Sequence, residues 1–249
     1  METIDVLESY SNEFRKLINS RVSEQGETKD LFGLTTPEDW GYICTSMDIV
    51  GQTNEAIRNF LQFGLEGPTK YENKGEQYLR LYGVLNATYL QQEAIKQIRK
   101  RFGLEADEIV NTIPIRDIRN KIGAHSPSQG YRSEKKIAYV AVRALLSNFS
   151  FSYGFKKTRD IETFTREEVD LKERVEEHCR TIINVLDRIY EALIKRFWQK
   201  NDSQYDEHMT ELEDLRIKRD GGEVLRSGGG KFRMPADGQW TVEMPLRDR

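Results

Sequence analysis

Hydrophobic residues recur along most of the chain with the period of an α-helix. Over residues 3–23 they fall at steps of three and four: Ile4, Leu7, Tyr10, Phe14, Leu17 and Ile18. The cleanest run spans 166–199 and comprises Val175, Cys179, Ile182, Leu186, Ile189, Leu193 and Phe197. This spacing places apolar side chains on one face of a helix. We therefore predict long amphipathic helices that pack around a common core.

Turn and capping residues set the other helix boundaries. One helix starts at Thr36-Pro37, because threonine suits the cap and proline the first helical position, and it stops near Gly67-Pro68. Another covers about 74–102, with an inward stripe of Tyr78, Leu81, Leu85, Tyr89, Ile95, Ile98 and Phe102. A short helix is predicted over 105–112. A further helix is predicted from Pro114 to near His125. The segment before Thr36 is predicted to be a polar link without a helix.

The period changes to two after residue 136. Aromatic residues alternate with Ser and Gly in SNFSFSYGF, and the preceding AYVAVRALL is rich in β-forming residues. Alternation of this kind predicts a β-hairpin over about 137–156. The alternative is a helix over 134–147 followed by a single strand.

The C-terminal part of the chain is polar. We expect a short helix over 205–219 and then a Gly-rich tail over 221–249, which is flexible or forms a small hairpin around Asp237-Gly238. We predict one mainly α-helical domain over 1–220.

Composition narrows the class of protein. Of 249 residues, 37% are hydrophobic and 32% charged, and the net charge is −3. The N-terminus is acidic and amphipathic rather than signal-like, and no window approaches the 18 or so apolar residues of a membrane span. We expect a cytoplasmic protein without a membrane partner.

The sequence lacks the motifs of several common enzyme classes. The sequence has no phosphate-binding Gly-rich loop and no nucleophile elbow, and its three histidines and two cysteines are scattered. We predict no metal and no cofactor. Cys44 and Cys179 are interpreted as small buried hydrophobes, and His178 and His208 as surface or boundary residues.

One segment is basic although the chain is acidic. Residues 96–143 carry eleven cations and five anions, a balance of +6, which suits a phosphate backbone. The candidate RNA-binding residues are Lys121, Arg116, Arg99, Lys100, Arg101 and Arg132.

Candidate catalytic residues lie at the centre of this segment: Arg119, Asn120 and His125. Arginine stays protonated and can stabilise charge on a phosphate, asparagine can orient it, and histidine can transfer a proton near neutral pH. In an unbroken helix, residues 119 and 125 point about 120° apart, so they converge only if the helix gives way near Gly123. The alternative is a purely structural helix end.

The stretch Arg119-Asn120-Lys121-Ile122-Gly123-Ala124-His125 resembles the R-x4–6-H motif of HEPN domains. The preceding segment LYGVLNATYLQQEAIKQI (81–98) resembles the long helix before that motif, and the resemblance covers roughly 75–200. It implies a helical bundle that pairs as a homodimer and acts as a metal-independent endoribonuclease in toxin–antitoxin or phage-defence systems, in which an antitoxin or other regulatory protein is a further partner. By this resemblance, Arg119 binds the scissile phosphate, Asn120 orients it and His125 handles the proton.

The chain departs from the minimal family pattern. It adds N-terminal helices, the hairpin after the motif and the Gly-rich tail. Because some HEPN domains have lost catalysis, the alternative is a non-catalytic module of the same fold that binds RNA, a nucleotide or a protein.

Overall fold

The computed structural model describes residues 2–24, 26–69, 73–105, 108–124, 137–157, 164–227 and 230–243. These residues are mainly helical, as the sequence predicts. The α-helices are α1 (Thr3–Val22), α2 (Thr28–Phe32), α3 (Glu38–Phe63), α4 (Lys74–Arg101), α5 (Ile109–Thr112), α6 (Pro114–Arg119), α7 (Leu171–Phe197) and α8 (Ser203–Arg219). A π-helical turn, Asn120–Ala124, directly follows α6. None of the described helices is both long and apolar enough to cross a membrane.

Six strands of the described residues form two antiparallel sheets. The first contains β1 (Ile137–Leu146), β2 (Ser150–Lys157) and β3 (Phe164–Asp170), in the order β1-β2-β3. The second contains β4 (Glu223–Ser227), β5 (Gly230–Met234) and β6 (Thr241–Glu243), in the order β4-β5-β6. The predicted hairpin over 137–156 is confirmed as β1 and β2, with Ala141 opposite Tyr153. The alternative helix over 134–147 is wrong for its described residues.

The chain folds into two compact units. Unit 1 comprises 1–47, 98–105 and 182–249, and unit 2 comprises 48–97 and 106–181. Helices α3, α4 and α7 contribute residues to both. From the sequence we predicted one domain over 1–220 and a tail that is flexible or forms a small hairpin around Asp237-Gly238. Strands β5 and β6 form a hairpin around that position, and the described tail residues group with unit 1.

Unit 1 joins α1, α7 and α8 through a buried carboxylate. Asp187 accepts a hydrogen bond from the Tyr10 hydroxyl at 2.9 Å and forms two with the Arg216 guanidinium, at 2.9 and 2.7 Å. Burial, followed by the charge of Asp187, raises the pKa of Tyr10. Because Asp187 is buried and Arg216 is half-buried, this ion pair fixes how the three helices pack.

Unit 2 contains the helices and the sheet that surround the candidate site. The predicted apolar stripes are confirmed where they enter its core: Val50, Ile57, Leu81, Leu85, Ile95, Val175 and Cys179 are all buried. Tyr78 and Tyr89 of the predicted α4 stripe are only half-buried. The aromatic residues of the central strand β2, Phe151 and Tyr153, are buried as well.

Two local predictions were wrong. The polar link before Thr36 contains the short helix α2, which ends at Gly33 in the left-handed conformation, with a φ of 60°. Residues 166–170 were assigned to the start of α7 but belong to strand β3, where Glu167 lies opposite Tyr153.

Candidate functional site

Helix α6 positions Arg119 at the edge of the core of unit 2. Pro114 occupies its first turn, and Ile115 and Ile118 are buried. The π turn that follows buries Ile122. These apolar anchors leave Arg116 and Arg119 half-buried.

The π turn starts at Asn120, one residue after the candidate arginine. A π-helical segment makes wider turns than an α-helix and is frequent at functional sites. The π turn therefore changes the direction in which the residues after Arg119 point, relative to an unbroken α-helix. It contains Gly123, where the sequence predicts that the α-helix ends. His125 and Arg132 lie outside the described residues.

Two guanidinium groups lie over the ring of Tyr89 on α4. The central carbon of Arg119 is 4.0 Å from the ring centroid, and that of Arg116 is 4.9 Å away. The negative face of an aromatic ring attracts cations within about 6 Å. Tyr89 thus holds two cations near each other on one surface.

Arg116 pairs with a neighbouring carboxylate. It donates hydrogen bonds to Oε1 of Glu93 at 2.8 Å and to Oε1 of Gln92 at 3.1 Å. Partial burial opposes ionisation of Glu93, but the hydrogen bonds from Lys96 and Arg116 outweigh it and lower the pKa of this carboxyl group. The single carboxylate of Glu93 is therefore shared between Lys96 and Arg116.

Arg119 has a different environment. It donates a hydrogen bond to Oδ1 of Asn120 at 3.2 Å, and in the described part of the chain no carboxylate pairs with it. Its guanidinium carries N–H donors that suit an anion, with an amide and an aromatic ring beside it. These are the groups needed to bind a phosphate.

A chain of buried hydrogen bonds begins at Gln92, the residue that accepts a hydrogen bond from Arg116. The Gln92 amide donates to Nδ1 of His178 at 3.3 Å, and Nε2 of His178 donates to Oε1 of Gln91 at 2.8 Å. Gln91 in turn donates to Thr53 at 3.0 Å and to Asn54 at 2.8 Å. Each bond runs in the same direction, so the network fixes the tautomer of His178 and the orientation of both glutamines.

The expectation that His178 and His208 are surface or boundary residues is wrong. His178 has no exposed surface, and burial lowers its pKa to about 3. His208, in unit 1, is 6% exposed, hydrogen-bonded to Ser20 and Tyr190, and stacked on Trp198. His178 lies three residues after Val175 and next to Cys179, and this position on the apolar stripe was the signal in the sequence.

Lys121 is committed to contacts inside unit 2. Its ammonium group pairs with Asp117 at 2.8 Å, donates to the Tyr153 hydroxyl at 3.2 Å and lies over the ring of Tyr139. Partial burial opposes its charge, but the bonds to Asp117 and Tyr153 raise its pKa. Lys121 joins the π turn to the β1-β2 hairpin.

The cations at the end of α4 belong to unit 1. Arg101 pairs with Asp39 at 2.8 Å and lies over the ring of Tyr42, and Arg99 donates to the carbonyl of Glu105 at 2.9 Å. Lys100 is exposed. Two of these three candidate RNA-binding side chains therefore have partners within their own unit.

The possible metal ligands, the cysteines and the clefts of the described residues do not form a second candidate catalytic site. They contain no group of three or more His, Cys, Asp or Glu that could hold a metal ion. Cys179 is buried, and burial raises its thiol pKa to about 12, whereas Cys44 is half-buried. An open cleft of about 420 Å³ in unit 1 is lined by both cations and carboxylates, among them Lys16, Lys218, Glu13 and Glu211.

Comparison of the chain with protein-family models, curated proteins and solved structures found no match. We therefore infer a function from the sequence motif and from the geometry around Arg119.

Proposed function

We propose that the chain is a metal-independent endoribonuclease of the HEPN type, with Arg119, Asn120 and His125 as its catalytic residues. One observation carries the proposal. Of the three described cations at 116–121, Arg119 alone has no carboxylate partner among the described residues, whereas Arg116 pairs with Glu93 and Lys121 with Asp117. A guanidinium in this environment, beside an amide, suits an anionic substrate.

The proposed reaction uses the RNA itself as the nucleophile. The ribose 2′-oxygen attacks the adjacent phosphorus and loses its proton, the bond to the 5′-oxygen breaks, and that oxygen gains a proton. The products are a 2′,3′-cyclic phosphate and a 5′-hydroxyl. His125 moves a proton at one of these oxygens, and Arg119 stabilises the extra negative charge on the phosphate.

The proposal extends to partners and setting. Two copies of the chain pair so that their motifs share one composite cleft, and an antitoxin or another regulatory protein controls the enzyme in a cytoplasmic toxin–antitoxin or phage-defence system.

The second candidate function is that of a non-catalytic module of the same fold. The cation–aromatic surface of Tyr89, Arg116 and Arg119 favours it, because such a surface binds a nucleotide without cleaving it.

Single substitutions separate the two candidates. We expect Arg119→Ala and His125→Ala each to lower the rate of cleavage of a labelled single-stranded RNA by about 100-fold or more. Arg119→Lys should retain part of the rate, because it keeps the charge but loses the planar fork. The matched control is Arg180→Ala, which removes a surface arginine of the same unit whose side chain is 55% exposed.

Unchanged cleavage by Arg119→Ala, with the control also unchanged, would contradict the catalytic assignment. RNA binding that depends on Arg119 without any cleavage by the wild type would favour the binding module.

A further inference from the structure

Two contacts in the described part of the chain fix the position of the Arg119 guanidinium. An arginine side chain has several rotatable bonds, and ordering it costs up to about 2 kcal/mol of conformational entropy. Among the described residues, the guanidinium contacts the ring of Tyr89 and the amide oxygen of Asn120. Asn120 is the next residue in the chain, so it moves with Arg119 and cannot anchor it to the rest of unit 2.

Tyr89 is the contact that joins Arg119 to another helix. It lies 30 residues earlier, on α4, and its ring centroid is 4.0 Å from the guanidinium carbon. The turn of α4 that carries it is firmly packed, because Thr88, Gln91 and Gln92 are all at most 1% exposed. The base of Tyr89 is therefore fixed in the core of unit 2.

The ring itself is restrained by the second arginine. Arg116 lies over the same ring at 4.9 Å and is held in place by Glu93 and Gln92. Gln92 is in turn hydrogen-bonded to the buried His178. Buried residues thus hold Arg116 in place. Arg116 and the backbone of α4 together restrain the ring of Tyr89, and that ring contacts Arg119.

From these contacts we infer that Tyr89 is a positioning residue that holds the Arg119 guanidinium in its phosphate-binding place through the face of its ring. Its role in cleavage rests on the proposed function, whereas its contact with Arg119 does not. The Tyr89 hydroxyl group does not contribute to holding Arg119, because the cation–π attraction arises from the face of the aromatic ring. Tyr89→Phe should therefore preserve the role, and Tyr89→Leu should abolish it while keeping an apolar side chain.

The first measurement is independent of catalysis. In proton–nitrogen spectra of arginine side chains, assigned by comparison with Arg119→Lys, the Nε–H signal of Arg119 should be shifted by the ring current of Tyr89. We expect Tyr89→Phe to keep the shift and Tyr89→Leu to move the signal to the position of a free arginine. A signal that is the same in Tyr89→Leu as in the wild type would overturn the inference.

The second measurement is a double-mutant cycle on cleavage of single-stranded RNA. Tyr89→Leu should lower kcat by about 10-fold, and Tyr89→Phe should rescue it. In an Arg119→Ala background Tyr89→Leu should cause no further loss, because its effect passes through Arg119. Losses that multiply in the double variant would overturn the positioning role. A wild type that cleaves no RNA would instead overturn the proposed function, and the side-chain spectra would then decide the inference alone.

Discussion

Arg116 and Arg119 show how one neighbour decides the role of a charged residue. Both guanidinium groups meet the ring of Tyr89, but Glu93 lies one helical turn beyond Tyr89 on α4 and captures Arg116. Among the described residues, Arg119 contacts an amide and a ring. The sequence motif singles out Arg119, and the pairing of Arg116 with Glu93 adds a second distinction that only the packing of the side chains reveals.

His178 gives unit 2 a defined sensitivity to acid. Its pKa is lowered to about 3 by burial, against about 6.5 in an unfolded chain. Below pH 6.5 the unfolded state takes up a proton that the folded state excludes. The stabilisation is therefore complete above pH 6.5 and is lost progressively as the pH falls toward 3.

We predict that the free energy of unfolding falls by about 2 kcal/mol between pH 6.5 and 4.5 through His178 alone, since a full proton of difference is worth about 1.4 kcal/mol per pH unit and the unfolded histidine is only half protonated at pH 6.5. His178→Gln should be less stable than the wild type at pH 7, because it disrupts the hydrogen bonds with Gln91 and Gln92. It should also lose this part of the pH dependence. Urea unfolding of both proteins at several pH values measures the difference, and parallel pH curves would contradict the prediction.

Among the elements, the strands show what local sequence could and could not reveal. Strands β1 and β2 were predictable because aromatic residues alternate with small ones along β2. Strand β3 was not, because over 165–170 Val169 is buried while the five polar residues are exposed. Pairing with β2 and the hydrogen bond from Arg166 to Ser152 hold β3 in place. Such contacts leave no periodic pattern in the chain.

The turn between β1 and β2 is fastened to the end of α3. The backbone N–H of Leu65 donates to the carbonyl of Asn148 at 2.7 Å, and that of Glu66 donates to the Asn148 side chain at 3.0 Å. Gly64, just before them, has a φ of +61°. A Cβ atom at Gly64 would collide with the side chain and backbone of Asn148.

We predict opposite effects of alanine at two glycines of unit 2. Gly64→Ala should destabilise the protein by more than about 2 kcal/mol, because left-handed backbone strain of about 1 kcal/mol adds to the collision with Asn148. Gly83→Ala, within α4, meets no atom within 4 Å and should stabilise by up to about 1 kcal/mol. Midpoints of urea unfolding measure both. Equal shifts of the same sign would contradict this account of the turn.

At the scale of the molecule, the helical class and most core positions followed from periodicity, because burial of one helix face imposes it. The candidate site was only partly predictable. The motif drew attention to Arg119 and Asn120, but Tyr89 was interpreted as core, and the buried support through Gln92 and His178 was missed. Gln91 and Gln92 satisfy their hydrogen bonds inside the core and break the hydrophobic pattern of α4. The position of His178 on the apolar stripe of α7 was therefore the one sign of this network in the sequence.

The division into two units also limits what net charge could indicate. The basic segment 96–143 is continuous in sequence, yet Arg99, Lys100 and Arg101 belong to unit 1 while Arg116, Arg119 and Lys121 belong to unit 2. Arg101, Arg116 and Lys121 pair with carboxylates of their own unit. RNA cleavage is therefore proposed because of the motif and of Arg119, which pairs with no carboxylate among the described residues, and not because of the total charge.

The most direct test of the central claim is cleavage of a labelled single-stranded RNA by the purified wild-type protein in the presence of EDTA, with analysis of the new RNA ends. The account predicts cleavage that EDTA does not inhibit, with 2′,3′-cyclic phosphate and 5′-hydroxyl ends. Absence of cleavage by freshly purified protein without a bound partner, or cleavage that EDTA abolishes, would contradict it.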